Sequence, residues 1–346
     1  MSQMQGATTK ACPMWHAEEE QRSSRPKISL PFGAGRFWAA TASFVLGVVH
    51  RLRRRPHFLS RSKIVTANVL IIYRRLSSII ITLGLLLAGL SSYATGKTHS
   101  VIYVTAKSAV VVDARTNKIL YAKNINLHIP PASCAKIMTA LLVLEKIELD
   151  KLITVSKRAA SIEPSKAGLR WGSQYRSADL LAACLMSSAN DASIALAEEI
   201  CGSESEFVKL MNEKAKKIGM ENTRFANATG LPSKKIEQYS TVYDLARMMR
   251  YALNKPQIVE LMNKKEKFIS GSDGRKIYLR NHNKMLWKKP KSIIGKTGYT
   301  IKSRHCFTGA AGSGSRQKVV FAILSSRRLW QDISILVNHG LYLKGE

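Results

Sequence analysis

Apolar residues follow two different spacings in the chain after residue 100. They dominate 101–113 and 119–123, and a polar turn separates these runs, which predicts two antiparallel strands. Two prolines then end the extended segment, because proline cannot continue a strand ladder. From Ser133 onward the apolar side chains recur at helical spacing, at Ile137, Leu141 and Leu144. Serine is a favoured first residue of a helix, so we predict that a helix begins at Ser133.

The middle of the chain is mostly helical, and strands return near its end. Amphipathic or apolar helices are predicted at 180–186, 192–200, 207–218 and 242–253. Two apolar runs, 306–311 and 319–325, flank a glycine-serine stretch and predict a β-hairpin, and a last helix covers 331–343. This order predicts one α+β domain with an antiparallel sheet made from its N- and C-terminal strands and a helical insert between them.

A different pattern precedes the folded part. Residues 76–94 carry no charge, follow two arginines and end in small side chains, which is typical of a secretory signal with cleavage after Ala94. The same segment also suits an uncleaved anchor with a basic cytoplasmic tail. We therefore predict a basic, non-globular extension over 1–75, a signal sequence or membrane anchor over 76–94, and an exported domain over 95–346. Export would place that domain in the periplasm or at the outer face of the cytoplasmic membrane.

The chain is strongly basic. It has 54 Lys and Arg against 23 Asp and Glu, and residues 95–346 alone hold 41 bases and 20 acids. Such a charge favours anionic partners, and in an exported protein we expect anionic wall or membrane polymers. We expect no nucleic acid, because aromatic side chains do not interleave the bases. A generally basic surface kept soluble by repulsion is the alternative. Hydrophobic residues make up 45%, which excludes wholesale disorder.

The five cysteines show neither a CxxC pair nor the spacing of metal ligands, so no metal site is expected. We interpret most of them as buried thiols. In an oxidising compartment a disulfide such as Cys184–Cys201 is the alternative. Nothing in the sequence implies a cofactor.

The tetrad Ser133-Cys-Ala-Lys136 places a hydroxyl and an amine on one face of the predicted helix. Residues three apart can touch, and a neutral amine could take the serine proton and so activate a nucleophile. Alone, the tetrad is weak evidence, because a helix cap beside a solvated lysine has the same sequence. Of the S-x-x-K tetrads in the chain only this one opens an apolar helix; the others begin at Ser24, Ser60 and Ser315.

Two further elements follow in order. Ser188-Ala-Asn190 lies between two predicted helices, where the hydroxyl can relay a proton and the amide can hold a substrate carbonyl. Lys296-Thr-Gly298 lies in a predicted edge strand. There lysine supplies a positive field, threonine supplies a hydroxyl for a substrate carboxylate, and glycine allows close backbone approach. S-x-x-K, S-x-N and KTG in this order are a strong joint signal of an acylating serine enzyme.

With these motifs the chain resembles the penicillin-binding, active-site-serine D-alanyl-D-alanine carboxypeptidases from about residue 101 to 343. Further stretches look like the same family: 109–114, 137–140, 188–197, 207–212, 230–232, 239–241, 283–287 and 295–300. The resemblance implies a serine β-lactamase/DD-peptidase-like fold. It also implies removal of the terminal D-Ala from peptidoglycan stem pentapeptides through an acyl-enzyme, with β-lactam antibiotics as inhibitors and with no metal or cofactor.

The resemblance also implies a role for each motif residue. Ser133 is the acylated nucleophile, Lys136 the general base, and Ser188 a catalytic residue of the opposite wall. The implied substrate-binding residues are Asn190, Lys296, Thr297, Gly298, Tyr299 and Arg327. The backbone N–H groups of Ser133 and Tyr299 would form the oxyanion hole. Partial burial and repulsion from Lys296 would lower the pKa of Lys136, which suits a base.

The chain departs from the family pattern, and alternatives stay open. Ala189 stands where glycine is common, and residues 301–305 lack the usual Asp and small side chains, which bears on substrate preference. A β-lactamase would need a deacylating Glu in an E-x-x-L-N loop, and no such motif follows Asn190. An endopeptidase that cuts D-Ala-containing cross-links would use the same residues. An inactive wall-binding module is the remaining alternative.

Overall fold

The computed structural model describes residues 102–288, 292–313 and 316–345, together with the isolated positions Arg75, Ser78, Ile79, Ile81 and Thr82. The predicted basic extension over 1–75 and the predicted signal or anchor over 76–94 lie outside the described residues apart from those positions. Within the described residues, the structure contains no helix with the length and apolar character needed to span a bilayer.

The secondary structure alternates as the apolar pattern predicts. The strands are β1 (Ser108–Asp113), β2 (Ile119–Lys123), β3 (Leu152–Thr154), β4 (Gln174–Arg176), β5 (Glu266–Ser270), β6 (Lys276–Arg280), β7 (Ser292–Thr300), β8 (Arg304–Ser313) and β9 (Arg316–Ser326). The helices are α1 (Lys136–Lys146), α2 (Lys157–Ser161), α3 (Ser177–Met186), α4 (Asn190–Cys201), α5 (Glu204–Lys217), α6 (Val242–Ala252), α7 (Pro256–Asn263) and α8 (Leu329–Leu343). A 3-10 turn, Ala132–Ala135, leads into α1.

The main sheet joins the two ends of the domain. Its order is β2-β1-β9-β8-β7, and every neighbouring pair is antiparallel. Val111 of the first strand lies opposite Phe321 of the last. The predicted α+β class, with a sheet from N- and C-terminal strands around a helical insert, is therefore confirmed. The predicted edge position of the KTG strand is confirmed as well, because β7 closes one side of the sheet.

Both faces of the sheet are covered. Val110 and Val112 belong to the core shared with the helical insert, whereas Ala109 and Val111 pack in a second core with α8. Successive side chains of a strand point to opposite faces, so a strand that is covered on both sides is apolar at every position. This explains the unbroken apolar run at the start of the domain.

The structure corrects three details. The predicted helix at Ser133 begins with the 3-10 turn, and α-helical geometry starts only at Lys136. The short strand pairs β3–β4 and β5–β6 were not predicted. Cys184 is a buried free thiol, as are Cys134 and Cys306, so the alternative of a Cys184–Cys201 disulfide is wrong.

Candidate active site

Two glycines from distant parts of the chain lie directly against the turn that carries Ser133. A Cβ on Gly230 would lie 1.9 Å from the carbonyl oxygen of Ala132, and one on Gly298 would lie 3.0 Å from the backbone nitrogen of Ser133. Gly230 also has a φ of +82°, a conformation that L side chains rarely adopt. A side chain at residue 298 would make a tight contact with the serine turn, so glycine lets the backbone of β7 lie directly against it.

Lys136 connects the serine to the opposite wall. Its Nζ lies 3.1 Å from Ser133 Oγ, 2.6 Å from Asn190 Oδ1 and 2.7 Å from the carbonyl oxygen of Thr229. A neutral amine has two N–H donors and one lone pair. If it donates to Asn190 and Thr229, its lone pair is left for the hydroxyl proton of Ser133. This arrangement orients the amine as a proton acceptor for the serine.

The protonation of Lys136 is set by its surroundings. The side chain is fully buried, and this burial together with the charge of Lys296 lowers its pKa to about 7. Burial likewise lowers the pKa of Lys296 to about 8. Near neutral pH, a large fraction of Lys136 is therefore neutral while most of Lys296 keeps its charge. One amine can accept a proton while the other holds an anion.

Ser188 and Asn190 form the wall opposite the serine turn. Ser188 is buried and has a φ of +58°, and it links α3 to the first residue of α4. The side-chain NH₂ of Asn190 donates to the carbonyl oxygen of Pro164, and its Oδ1 accepts from Lys136. Asn190 thus holds the base, a task that the sequence did not predict, and one amide N–H is left for a substrate carbonyl.

Asp191 supports this wall and was missed by sequence reasoning. Its buried carboxylate accepts hydrogen bonds from the backbone N–H groups of Ala167, Gly168 and Leu169, at 3.0, 2.8 and 3.0 Å. These bonds fasten the loop that presents Pro164 to Asn190. The available signal was an acidic residue in the first turn of a helix, next to the S-x-N motif. That signal names the residue but not the loop that it holds.

We expect Asp191→Ala to destabilise the domain by about 3 kcal/mol or more, because one buried and two part-buried N–H groups lose their acceptor. For a domain of this size the Tm should fall by roughly 6–12 °C. Thermal unfolding followed by circular dichroism measures this, with the exposed Asp150→Ala as the matched control. An Asp191→Ala protein that melts within about 2 °C of the wild type would contradict the assigned role.

The KTG strand completes the cluster. Lys296 is buried, and its Nζ donates to the carbonyl oxygen of Thr297 at 2.8 Å. The thiol of Cys134, next to the serine, donates to the carbonyl oxygen of Lys296 at 3.5 Å. Tyr299 is exposed, and its ring lies 4.7 Å from that of His305 on β8. The structure therefore brings together eight of the nine predicted site residues: Ser133, Lys136, Ser188, Asn190, Lys296, Thr297, Gly298 and Tyr299.

Arg327 is the ninth predicted site residue. It is exposed, follows the end of β9, and is separated from β7 by β8. Its backbone N–H donates to Thr105 Oγ1 at 3.2 Å, and its side chain lines a different cleft.

In the part of the chain that the structure describes, no group of three or more His, Cys, Asp or Glu side chains is placed to hold a metal ion.

The chain matches known proteins over the same region. A family model described as D-alanyl-D-alanine carboxypeptidase, peptidase S11, matches residues 95–327. A D-alanyl-D-alanine carboxypeptidase of Bacillus subtilis, DacF, is 38% identical over 253 residues, or 71% of this chain and 64% of the relative. A D-alanyl-D-alanine endopeptidase of Pseudomonas aeruginosa is 35% identical over 203 residues, or 58% of this chain and 64% of the relative. The chain thus spans slightly less than two thirds of the length of these relatives.

A solved D-alanyl-D-alanine carboxypeptidase of Mycobacterium tuberculosis has a similar structure. It superposes with a TM-score of 0.67 and 25% identity, over 71% of this chain and 95% of its own. This match confirms the predicted DD-peptidase-like fold, and the solved chain contains little beyond the matched region, which makes up 95% of it. The motif order, the sheet and these matches together show that the chain belongs to the D-alanyl-D-alanine carboxypeptidase family, peptidase S11.

Proposed function

We propose that this protein is an exported serine carboxypeptidase that removes the terminal D-Ala from peptidoglycan stem pentapeptides. The observation that carries the proposal is the buried Lys136 amine, which lies 3.1 Å from Ser133 Oγ and has a pKa of about 7. A nucleophile, a base and a second buried amine in one cluster are the parts that acyl transfer needs. Family membership and the relative from Bacillus subtilis support the choice of substrate.

In the proposed acylation, Ser133 Oγ attacks the carbonyl carbon of the penultimate D-Ala while Lys136 takes the hydroxyl proton. The N–H groups of Ser133 and Tyr299 stabilise the oxyanion, and Lys296 and Thr297 hold the terminal carboxylate. When the C–N bond breaks, the leaving amine receives a proton from Lys136, with Ser188 as the relay. D-Ala departs, and an ester on Ser133 remains.

In the proposed deacylation, a water molecule gives a proton to Lys136 and attacks the ester carbonyl. The C–O bond to Ser133 then breaks, and the serine regains its proton. A β-lactam would acylate Ser133 by the same attack. Its leaving nitrogen stays tethered to the acyl group, so the inhibited enzyme would release the drug slowly.

We expect the rate of Ser133 acylation to follow a bell-shaped pH profile with its maximum between pH 7 and pH 8. The base is active when neutral, so the rate rises as Lys136 deprotonates near 7 and falls as Lys296 loses its charge near 8. Desolvation and the two lysine charges lower the pKa of His282 to about 4, so it adds no limb in this range. The measurement is the rate of labelling by a fluorescent penicillin across pH.

A variant separates the two limbs of that profile. Lys296→Met removes a positive charge near Lys136, which favours the protonated form of the base and raises its pKa. The acid limb should therefore move to higher pH. An acid limb that stays in place would show that charge from Lys296 does not set the protonation of the base.

The substrate is tested with purified residues 95–346, incubated with a mixture of pentapeptide muropeptides and cross-linked dimers. Mass spectrometry should show loss of one D-Ala from the pentapeptide, and prior treatment with penicillin should block it. Conversion of dimers to monomers would instead establish the endopeptidase, the second candidate, which the Pseudomonas relative favours. If neither product forms while penicillin still labels the protein, the proposed substrate is wrong.

A further inference from the structure

We propose that a basic cleft at one end of the main sheet docks this protein on the anionic phospholipid headgroups of a bilayer surface. The cleft lies where β1 and β8 begin and where β2 and β9 end. It has a volume of about 640 Å³ and includes five cationic side chains: Lys107, Lys123, Arg304, Arg327 and Arg328. None of the eight site residues gathered around Ser133 lines it, and its Arg304 pairs with Thr300 in the strand that carries the KTG motif.

The charge of the cleft is unbalanced. Its lining contains no Asp or Glu, and none of its five cations forms an ion pair with another residue in the described ranges. A nearby carboxylate, Asp332, is buried and already accepts hydrogen bonds from Thr105 Oγ1 at 2.8 Å and Ser326 Oγ at 2.7 Å. Five cations converging on a concave surface raise a positive potential, which attracts phosphate groups.

Apolar side chains stand among these cations. Tyr103 is 78% exposed and Leu127 is 42% exposed, and both line the cleft. An exposed tyrosine beside Lys and Arg is typical of the membrane–water interface, where the ring enters the headgroup layer and the cations meet phosphate. A soluble anionic polymer would need the charges but would gain little from exposed Tyr103 and Leu127. The composition of the cleft therefore favours a lipid surface over a wall polymer.

The position of the cleft residues along the chain also favours a lipid surface. Tyr103 and Lys107 follow shortly after the uncharged segment 76–94, which the sequence predicts to be an export signal or membrane anchor. From Ala94 to Ile102 there are eight residue steps, which span at most about 29 Å when fully extended. A domain tethered through that segment would keep the cleft within reach of the bilayer surface. The proposal does not depend on the peptidase activity.

The test uses residues 95–346, which lack the apolar segment, and sedimentation with vesicles of phosphatidylcholine containing about 30% phosphatidylglycerol. The wild type should bind these vesicles, dissociate from them in high salt, and show no binding to vesicles of pure phosphatidylcholine. The variant Lys107→Gln/Arg304→Gln/Arg328→Gln should lower the partition coefficient on the order of 100-fold, roughly fivefold for each charge removed.

The matched control removes the same number of charges elsewhere. Arg115→Gln/Lys118→Gln/Lys276→Gln changes exposed cations, two of which lie in the turn at the opposite end of β1. This control should change the partition by less than about twofold. Tyr103→Ser should weaken the binding that survives at moderate salt, and thermal unfolding verifies that all variants are folded.

Three results would overturn the proposal. Equal losses in the cleft variant and in the control would show that only net charge matters. A cleft variant that binds like the wild type would exclude the cleft. Binding to a soluble polyphosphodiester but not to the vesicles would show that the cleft takes wall polymers rather than lipid.

Discussion

Ser133→Ala should abolish release of D-Ala from pentapeptide and labelling by fluorescent penicillin, while the domain stays folded. Without Oγ no side chain can form the ester, and Lys136 has no hydroxyl proton to accept. Removal of a serine nucleophile lowers the turnover of serine hydrolases by roughly 10⁶-fold, so residual activity should fall below detection. The measurement is D-Ala release from purified residues 95–346 at equal protein concentration.

The matched control for this prediction is Ser161→Ala. Ser161 is exposed at the end of α2, and its hydroxyl donates to the local carbonyl oxygen of Arg158. This variant should keep wild-type activity. Penicillin labelling of Ser133→Ala at more than about one hundredth of the wild-type rate would show that another side chain is the nucleophile, and the assignment of the S-x-x-K motif would be wrong.

Lys136→Ala should lower the rate of acylation by roughly 10²–10⁴-fold, the usual contribution of a general base. The loss has two causes: the proton acceptor disappears, and Asn190 Oδ1 and the Thr229 carbonyl oxygen lose their donor. Lys146→Ala, at the other end of the same helix, is the matched control and should leave the rate unchanged. Stopped-flow labelling with fluorescent penicillin measures both variants.

A second substitution distinguishes a base from a structural lysine. Lys136→Arg keeps a positive charge and hydrogen-bond donors, but a guanidinium does not deprotonate in this pH range. If Lys136 acts as the base, the arginine variant should be as slow as the alanine variant and should lose the acid limb of the pH profile. Recovery of more than about a tenth of the wild-type rate would show that charge and packing suffice.

The sequence alone determined where most helices and strands lie and which residues carry the candidate chemistry. Apolar spacing located α3, α4, α5, α6 and α8 to within a few residues, because amphipathic periodicity is a local property of each segment. The apolar runs located β2, β8 and β9 for the same reason, whereas only the second half of the run 101–113 is a strand, because β1 begins at Ser108. The order of S-x-x-K, S-x-N and KTG identified seven residues, the family resemblance added Tyr299, and the fold gathers all eight in one cluster. Each motif can be identified from a few neighbouring residues.

The tertiary structure alone decided how these pieces act. Lys136 meets Asn190 and Thr229, which are 54 and 93 positions away, and no local pattern contains that contact. Its pKa of about 7 depends on burial and on Lys296, both of which arise from packing. The sequence predicts Arg327 as a substrate-binding residue, and only the structure shows that it also lines the basic cleft at the end of β9. Long-range contacts depend on how segments pack, and each local segment is compatible with many packings. The sequence could therefore identify the side chains of the candidate site. The distances between these side chains and their protonation states depend on the tertiary structure.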